Sequence, residues 1–468
     1  MAKSVKFPSK PARSASSSQA AMLAEKISKL PFEKVKVAVT DIDGILRGKY
    51  LAREKFLSAI DGGFGFCNVV LGWDSSDVCY DNIGFTGWHS GYPDAMVRLD
   101  PRTYRQIPWE GGLPFVLGDF EGGGGKGLEI CPRSLLRKII ARAAGEGFDA
   151  NFGMEFEWFN FRETPQSIAS KKYVSPEPIT PGMFGYSVLR TTQSQPYFAA
   201  LMDETRAFRV PVEGLHTETG PGVFEAAILY SDALEAADRA VLFKSSAKEI
   251  GSRFGIMPSF MAKWNAKLPG CSGHMHQSLW RDGKNLFDDA RRPHRMSALF
   301  ESYVAGQLLL LPEILPLFAP TVNSYKRLVD GYWAPTKVSW GVDNRTVAAR
   351  VIPSASGKAT RLETRVPGSD VNPYLGIAAA LASGLHGVQK GLKLRHAATQ
   401  GSAYTNEKAE RLPRNLWEAT QRFKNSKLVR EILGDAFVDH FAATREWEWR
   451  QFQDSVTSWE MERYFEII

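Results

Sequence analysis

The segment Arg361-Leu362-Glu363-Thr364-Arg365-Val366-Pro367 constrains the fold more than any other stretch of the chain. Charged and apolar residues alternating at period two mark a β-strand with one buried face. The alternation sets Arg361, Glu363 and Arg365 on one side and Leu362, Thr364 and Val366 on the other. A carboxylate held between two guanidinium groups suits a site that takes metal and phosphate together. Two upstream segments repeat the pattern. In the first, Glu155 and Glu157 share one face, and Phe156 and Trp158 share the other. Adjacent carboxylates repel unless protons or cations intervene, and oxygen donors suit Mg2+ or Mn2+. In the second, His274 and His276 share a face. Between these two lies a Gly220-Pro221-Gly222 turn flanked by Glu218 and Glu225, which can fold both carboxylates toward one ion. For any one segment taken alone, a solvent face laced with weak ion pairs is the competing reading.

A further stretch, from Asn323 to Val351, supplies Arg327, Arg345 and Arg350 as candidate anion binders. Arg345 and Arg350 fall on opposite faces of an ideal strand. They converge only if a turn or bulge intervenes.

With these motifs in order, the chain resembles the glutamine synthetase family of ATP-dependent carboxylate–amine ligases, from about Asp41 to the C-terminal region. The matching blocks are Glu-x-Glu, Glu…Gly-Pro-Gly…Glu, His-x-His-Gln-Ser-Leu, Asn-Ser-Tyr-Lys-Arg-Leu, Asn-Arg-Thr and Arg-x-Glu-x-Arg-x-Pro followed by Asp370-Val371-Asn372-Pro373-Tyr374-Leu375. The resemblance implies ATP and two divalent ions, Mg2+ or Mn2+, in a funnel-shaped site. It assigns one ion to Glu157, Glu218 and Glu225, and the other to Glu155, His274 and Glu363. It puts His276 and Ser278 near the nucleotide and Arg345, Arg350 and Arg361 on the phosphates. Arg327 and Arg365 match residues that hold the amino-acid substrate or its phosphorylated carboxylate, and Gly270 offers backbone contacts to the substrate. Catalytic roles are thereby expected of Arg327, Arg345 and Arg365. Asp74, on an N-terminal-domain loop, matches a base that reaches into a neighbouring subunit's site, with Asp77 as its competitor. The implied assembly is a homo-oligomer, a dodecamer of two stacked hexameric rings.

Two departures from the family pattern bear on the substrate. Ammonia-using members carry glutamate at the third place of Gly-Tyr-x-Ala-Pro, where it closes the site and takes a proton from ammonium. Here that place is Trp333. An indole cannot accept that proton, but it offers an apolar wall or a π face to an organic cation. Val223 stands where a glutamine is usual, which is expected to make the site less polar. Both changes favour an organic amine over ammonia. The leading expectation is a ligase that joins glutamate to an organic amine through a γ-glutamyl phosphate. An ammonia-using glutamine synthetase and a non-catalytic structural member of the fold are the alternatives. Retention of all six metal-ligand candidates speaks against the last.

Composition fits an intracellular enzyme. The chain has 468 residues, enough for two or three domains, and 44% are hydrophobic. Its four cysteines, Cys67, Cys79, Cys131 and Cys271, form no Cys-x-x-Cys pair, as expected in a reducing, cytoplasmic setting. The apolar run Leu308–Pro320 is broken by Pro312, Glu313 and Pro316, so a buried helix is expected there rather than a membrane span. The formal charge of +7 includes an N-terminal cluster of Lys3, Lys6, Lys10 and Arg13. No continuous basic stripe or nucleic-acid module accompanies it, so small molecules are the expected partners.

The resemblance implies an α+β fold: a small β-grasp-like N-terminal domain and a large catalytic domain with a curved antiparallel sheet and flanking helices. The expected division is a disordered basic tail over residues 1–22, the small domain over 23–127 and the catalytic domain over 128–468. Short and long helices are expected at Ala21–Lys29, Ser134–Gly145 and Ala233–Ile250, the last ended by Gly251. A hairpin is expected at Gly44–Lys49 and a turn at Glu121–Gly127.

Overall fold

A computed structural model describes residues 15–468. The fold is α+β, as expected, and is built on two sheets. The first combines β1 (Lys34–Thr40), β2 (Leu46–Ala52), β3 (Phe64–Cys67), β4 (Asp94–Leu99), β5 (Arg105–Ile107) and β6 (Leu113–Phe120). Their order is β2-β1-β6-β4-β3, with β5 paired to β6. The β1–β6 pair is parallel. The β1–β2 hairpin turns at Asp41–Ile45, a little before the expected segment, where Asp41 Oδ1 accepts from the backbone N–H groups of Asp43 and Ile45.

The second sheet is assembled from β7 (Asp149–Phe161), β8 (Val212–Thr217), β9 (Val223–Ile228), β10 (Ser231–Asp232), β11 (Met257–Ser259), β12 (Gly273–Arg281), β13 (Lys284–Asn285), β14 (Trp340–Val342), β15 (Ala349–Ile352) and β16 (Arg361–Thr364). Its main order is β14-β15-β16-β12-β7-β9-β8. It departs from the expected all-antiparallel pattern in one pair, β14 with β15, which run parallel.

One face of this sheet is apolar. Phe156 and Trp158 project from β7 onto helix Ala233–Arg253, where Trp158 meets Phe243 edge-on at 5.4 Å between ring centroids. Asp232 caps that helix by accepting from the Glu235 N–H. The helix does not stop at Gly251 as expected but continues to Arg253. Helices Pro132–Gly145, Ala298–Ile314 and Pro373–Gln389 complete the layer. The stretch Ala298–Leu317 is apolar and long enough to cross a membrane, but 67% of its apolar window is buried inside the fold. It packs closely on helix Pro373–Gln389: a Cβ at Gly306 would lie 2.6 Å from the Gly387 Cα, a distance only two glycines permit.

The tail expected over residues 1–22 lies outside the described residues as far as residue 14. From Ala15 the chain is helical to Ser28, so the helix is longer than expected. Leu23 and Ile27 are buried against the first sheet, which holds the helix in place. The Glu121–Gly127 turn closes by a bridge between its ends.

Arg133 fastens the two sheets together. It is buried and donates to Asp100 and Asp119, at the first sheet, and to both oxygens of Asp238 on helix Ala233–Arg253, over 2.7–3.0 Å. Burial pushes the Asp100 carboxyl up, but hydrogen bonding and charge from Arg102, Arg133 and Arg137 outweigh it and hold the group below the usual carboxylate range. Replacing Arg133 would leave the buried Asp238 carboxylate without its cation, while Arg137 still donates to Asp100 and Asp119. Arg133→Met is expected to destabilise the fold by about 3–5 kcal/mol in urea unfolding. A loss under about 1 kcal/mol would show that the cluster is no staple.

Candidate active site

The opposite face of the second sheet carries the charge. Its strands set a ladder of facing pairs: Glu155 opposite His274, Glu157 opposite Glu225, His216 opposite Glu225, and Glu363 opposite both His276 and Arg350. Each pair follows from period-two alternation on neighbouring strands in register. These side chains line one cavity of about 1090 Å3.

Glu363 is the hub of one half. It is buried, receives Arg350 Nη1 at 2.9 Å on one oxygen, and accepts from Arg365 Nη1 on the other. His274 Nδ1 lies 3.4 Å from it and 3.1 Å from Glu155 Oε1. Burial alone would raise the Glu363 carboxyl. The surrounding His274, Arg365, His276 and Arg350 charges prevail and hold it down at about 2. Glu155 is likewise held low, by His274 and His276 against its desolvation. Arg361 Nε donates to His276 Nδ1 at 3.1 Å, and Trp280 donates to the Ser278 hydroxyl at 2.8 Å.

The other half gathers Glu218, Glu225 and His216 around the hairpin between β8 and β9. His216 Nε2 lies 2.9 Å from Glu225 Oε1, and Nδ1 lies 3.7 Å from Glu218 Oε2. Burial, with the Glu155 and Glu157 charges, pushes the Glu225 carboxyl up despite the His216 contact. Around Glu218 and Glu225, His216 is the one cation-forming side chain within 4 Å among the described residues.

Among the described residues, four buried polar atoms of the cavity lining have no hydrogen-bond partner: Glu218 Oε2, Ser272 Oγ, Arg350 Nε and Arg365 Nε. An orphaned carboxylate oxygen among glutamates and imidazole groups fits a divalent cation, and orphaned guanidinium N–H groups fit an anion. Among the described residues three overlapping groups have donor atoms close enough for shared coordination: Glu155, His276 and Glu363; Glu155, His274 and Glu225; and His216, Glu218 and Glu225.

Every residue expected in this chain's own site lines the cavity except Val223. Arg345 and Arg350 converge because the chain turns between β14 and β15. Arg327 is buried and donates to the Val366 and Arg365 carbonyls. Gly270 sits so close to its neighbours that a Cβ there would lie 2.3 Å from the Ala262 carbonyl oxygen. Trp333 lines the cavity with its backbone in the left-handed region, φ +63, and its side chain 58% exposed. That backbone is strained for a bulky residue. Glu157 lines the cavity and accepts from the Ser272 N–H at 2.7 Å, outside all three close groups.

Of the expectations about the site, the one for Val223 changes. Asp74 stands away from the cavity of its own chain; its carboxylate accepts from the Ser76 and Val78 backbone and from Trp447 Nε1 at 2.9 Å. Val223 does not make the cavity less polar, because it is buried beside Phe159, Phe161 and Cys271 under Trp264. The sheet face beyond Glu225 is already covered there. His216 was not anticipated. The His-x-Glu spacing of His216 and Glu218 repeats the period-two signal of the other strands and marks it. Tyr186, which stacks on His216 at 4.4 Å, carries no such signal, since it comes from a distant loop.

Because Glu363 orients two arginines and a histidine at once, Glu363→Ala is expected to lower ATP-dependent phosphate release at least about a hundredfold, with the far-UV spectrum unchanged. Near-normal release from the folded variant would remove Glu363 from the site.

The chain matches the family model for the glutamine synthetase catalytic domain over residues 129–464. It is 58% identical over 448 residues to type-1 glutamine synthetase 2 of Dictyostelium discoideum, covering 95% of this chain and 85% of that protein. It is 38% identical over 447 residues to a glutamate–isopropylamine ligase of a Pseudomonas species, covering 94% and 97%. With γ-glutamylethanolamide synthetase GlnA4 of Streptomyces coelicolor it shares 37% over 436 residues, covering 93% of each. A solved structure of a GmaS/ADP complex superimposes with a TM-score of 0.83 at 26% identity, covering 95% of this chain and 99% of the other. Enzymes of this family use ATP and divalent metal ions. The chain belongs to the glutamine synthetase family and is a ligase that forms C–N bonds.

Proposed function

We propose that this chain joins glutamate to an organic amine, consuming ATP. The observation that carries the reading is Trp333 at the cavity wall, where an ammonia-using site of the family's pattern carries a proton-accepting glutamate. The names of the relatives acting on isopropylamine and ethanolamine support it.

In this reading the glutamate side-chain carboxylate attacks the terminal phosphorus of ATP, and the bond to ADP breaks. The amine nitrogen then attacks the acyl carbon, phosphate leaves, and the nitrogen loses a proton. A carboxylate needs this activation because oxide is not a leaving group. Glu155, His274 and Glu363 would hold one divalent ion, Mg2+ or Mn2+, and Glu157, Glu218 and Glu225, joined by His216, the other. Such ions, when bound, offset the repulsion between two anionic reactants and stabilise charge on the transferring phosphoryl group. Arg345, Arg350 and Arg361 act on the phosphates, with His276 and Ser278 beside the nucleotide. Arg327 and Arg365 hold glutamate and its phosphorylated carboxylate, and the Gly270 backbone borders that subsite. Trp333 and Tyr332 restrict water, which would otherwise hydrolyse the acyl phosphate. Asp74 of an adjacent copy is the proposed proton acceptor. A site completed this way requires a closed ring, for which two stacked hexamers are the proposed form. The division into an N-terminal domain to residue 127 and a catalytic domain from 128 belongs to the same reading.

The 58% identity to a protein named a glutamine synthetase favours a second reading, in which ammonia is the amine and another group takes the proton. Phosphate release with glutamate and Mg2+ across ammonia, alkylamines, ethanolamine, polyamines and anilines separates the two. The organic-amine reading predicts strong release with one organic amine and little with ammonia. Trp333→Glu is then expected to raise kcat/KM for ammonia at least about tenfold and lower it for the preferred amine. Release with ammonia alone in the unmodified protein, or no change in preference in the variant, would overturn it.

A further inference from the structure

No residue of helix Asp435–Asp454 lines the charged cavity, yet this helix holds the loop that carries Asp74. The loop, residues 68–93, leaves the first sheet after β3 and returns to it at β4. Its ends are drawn together by the Asn68 N–H, which donates to the Pro93 carbonyl at 3.1 Å. Three hydrogen-bonding contacts tie the loop to the helix. Trp447 Nε1 donates to Asp74 Oδ2 at 2.9 Å, Arg450 pairs with Asp81, and the Asn82 amide donates to the Ala443 carbonyl at 2.8 Å. Tyr80 packs edge-on against Trp447 at 5.9 Å between ring centroids, and Tyr80, Ile83 and Trp447 are buried together.

These contacts are unequal. Arg450 and Asp81 are both exposed, and an ion pair in water holds little. Trp447 is only 7% exposed, so its N–H meets little competition from water. An N–H bonded to a carboxylate is among the stronger hydrogen bonds a fold makes.

The donors also divide the Asp74 carboxylate. A turn aspartate needs one oxygen to accept from the backbone just ahead of it. Oδ1 does this, accepting from the Ser76 N–H at 2.8 Å and the Val78 N–H at 3.0 Å. Oδ2 stands outside that turn, and among the described residues Trp447 is its one donor. Each carboxylate oxygen offers about two lone-pair sites. Both on Oδ1 are taken and one on Oδ2 is taken, so the group is fixed in rotation and keeps one open place for a proton. Asp74 as a whole is half-buried.

We infer that Trp447 is a positioning residue for the amine step. Its indole N–H fixes the Asp74 carboxylate so that the open site on Oδ2 takes the proton shed by the nitrogen that has bonded to the acyl carbon. The inference rests on the reading of Asp74 as the proton acceptor in an adjacent copy's cavity. Trp447 touches no reactant. It acts through Asp74 and so, in a closed ring, on the cavity of a copy other than its own.

Phosphate release by the full chain, with glutamate, Mg2+ and whichever amine of the panel reacts fastest, tests the inference. The readout is kcat/KM for that amine, which reports the step at which the amine attacks. Trp447→Phe keeps a ring against Tyr80 and removes the N–H. It is expected to lower this value about tenfold, with KM for ATP and for glutamate unchanged. Asp74→Asn alone is expected to lower it about a hundredfold, and adding Trp447→Phe to that variant should cost nothing more. Asp81→Asn, which loosens the same loop without touching Asp74, should leave it within about twofold. A normal value for Trp447→Phe beside an impaired Asp74→Asn, a further loss of like size when the two are combined, or an equal loss in Asp81→Asn would each overturn the inference and leave Asp74 as the acceptor. A normal value for Asp74→Asn would overturn the acceptor reading and the inference with it.

Discussion

The fold is organised around a repulsion. Glu155, Glu157, Glu218, Glu225 and Glu363 face a single cavity, where like charges in a partly desolvated space disfavour one another strongly. Protons, guanidinium groups and divalent cations are the available remedies, and the protein's own remedy is incomplete. Arg350 and Arg365 pair with Glu363, and His274 and His276 lie against Glu155 and Glu363. The Glu218 and Glu225 half has only His216, and one of its oxygens has no partner. This imbalance points the site toward cations from solution and, with them, toward a phosphorylated substrate.

Holding such a face together demands a rigid support. The reverse of the sheet supplies it through aromatic packing of Phe156 and Trp158 on helix Ala233–Arg253. The same helix provides Asp238, through which Arg133 links it to the first sheet, and Asn372 ties the start of helix Pro373–Gln389 to the β1–β2 turn. The charged strands are thus braced from behind and from the side by contacts that involve no catalytic residue.

The sequence was most legible where a single period carries the message. Alternation in the Glu155, His274 and Glu363 segments placed their charged side chains on a common face, and the sheet pairs those strands in register. Alternation says nothing about what covers a face further along, so Val223, on the same strand as Glu225, was expected at the site yet lies beneath Trp264. His216 was legible in its spacing from Glu218 and was overlooked because it is one histidine rather than a pair. The Arg133 cluster and the Tyr186–His216 stack join positions far apart in the chain, and no local pattern encodes them. The early start of the first helix reflects burial of Leu23 and Ile27 against a sheet formed later in the chain, which a polar flanking composition conceals.

The central claim is that the carboxylate face is a divalent-cation site. Equilibrium binding of Mn2+ to the full-length protein, followed by electron paramagnetic resonance, tests it most directly. The account predicts saturation at about two ions per chain, with Mg2+ competing for both. Binding that fails to saturate, or saturation well below one ion per chain, would contradict it.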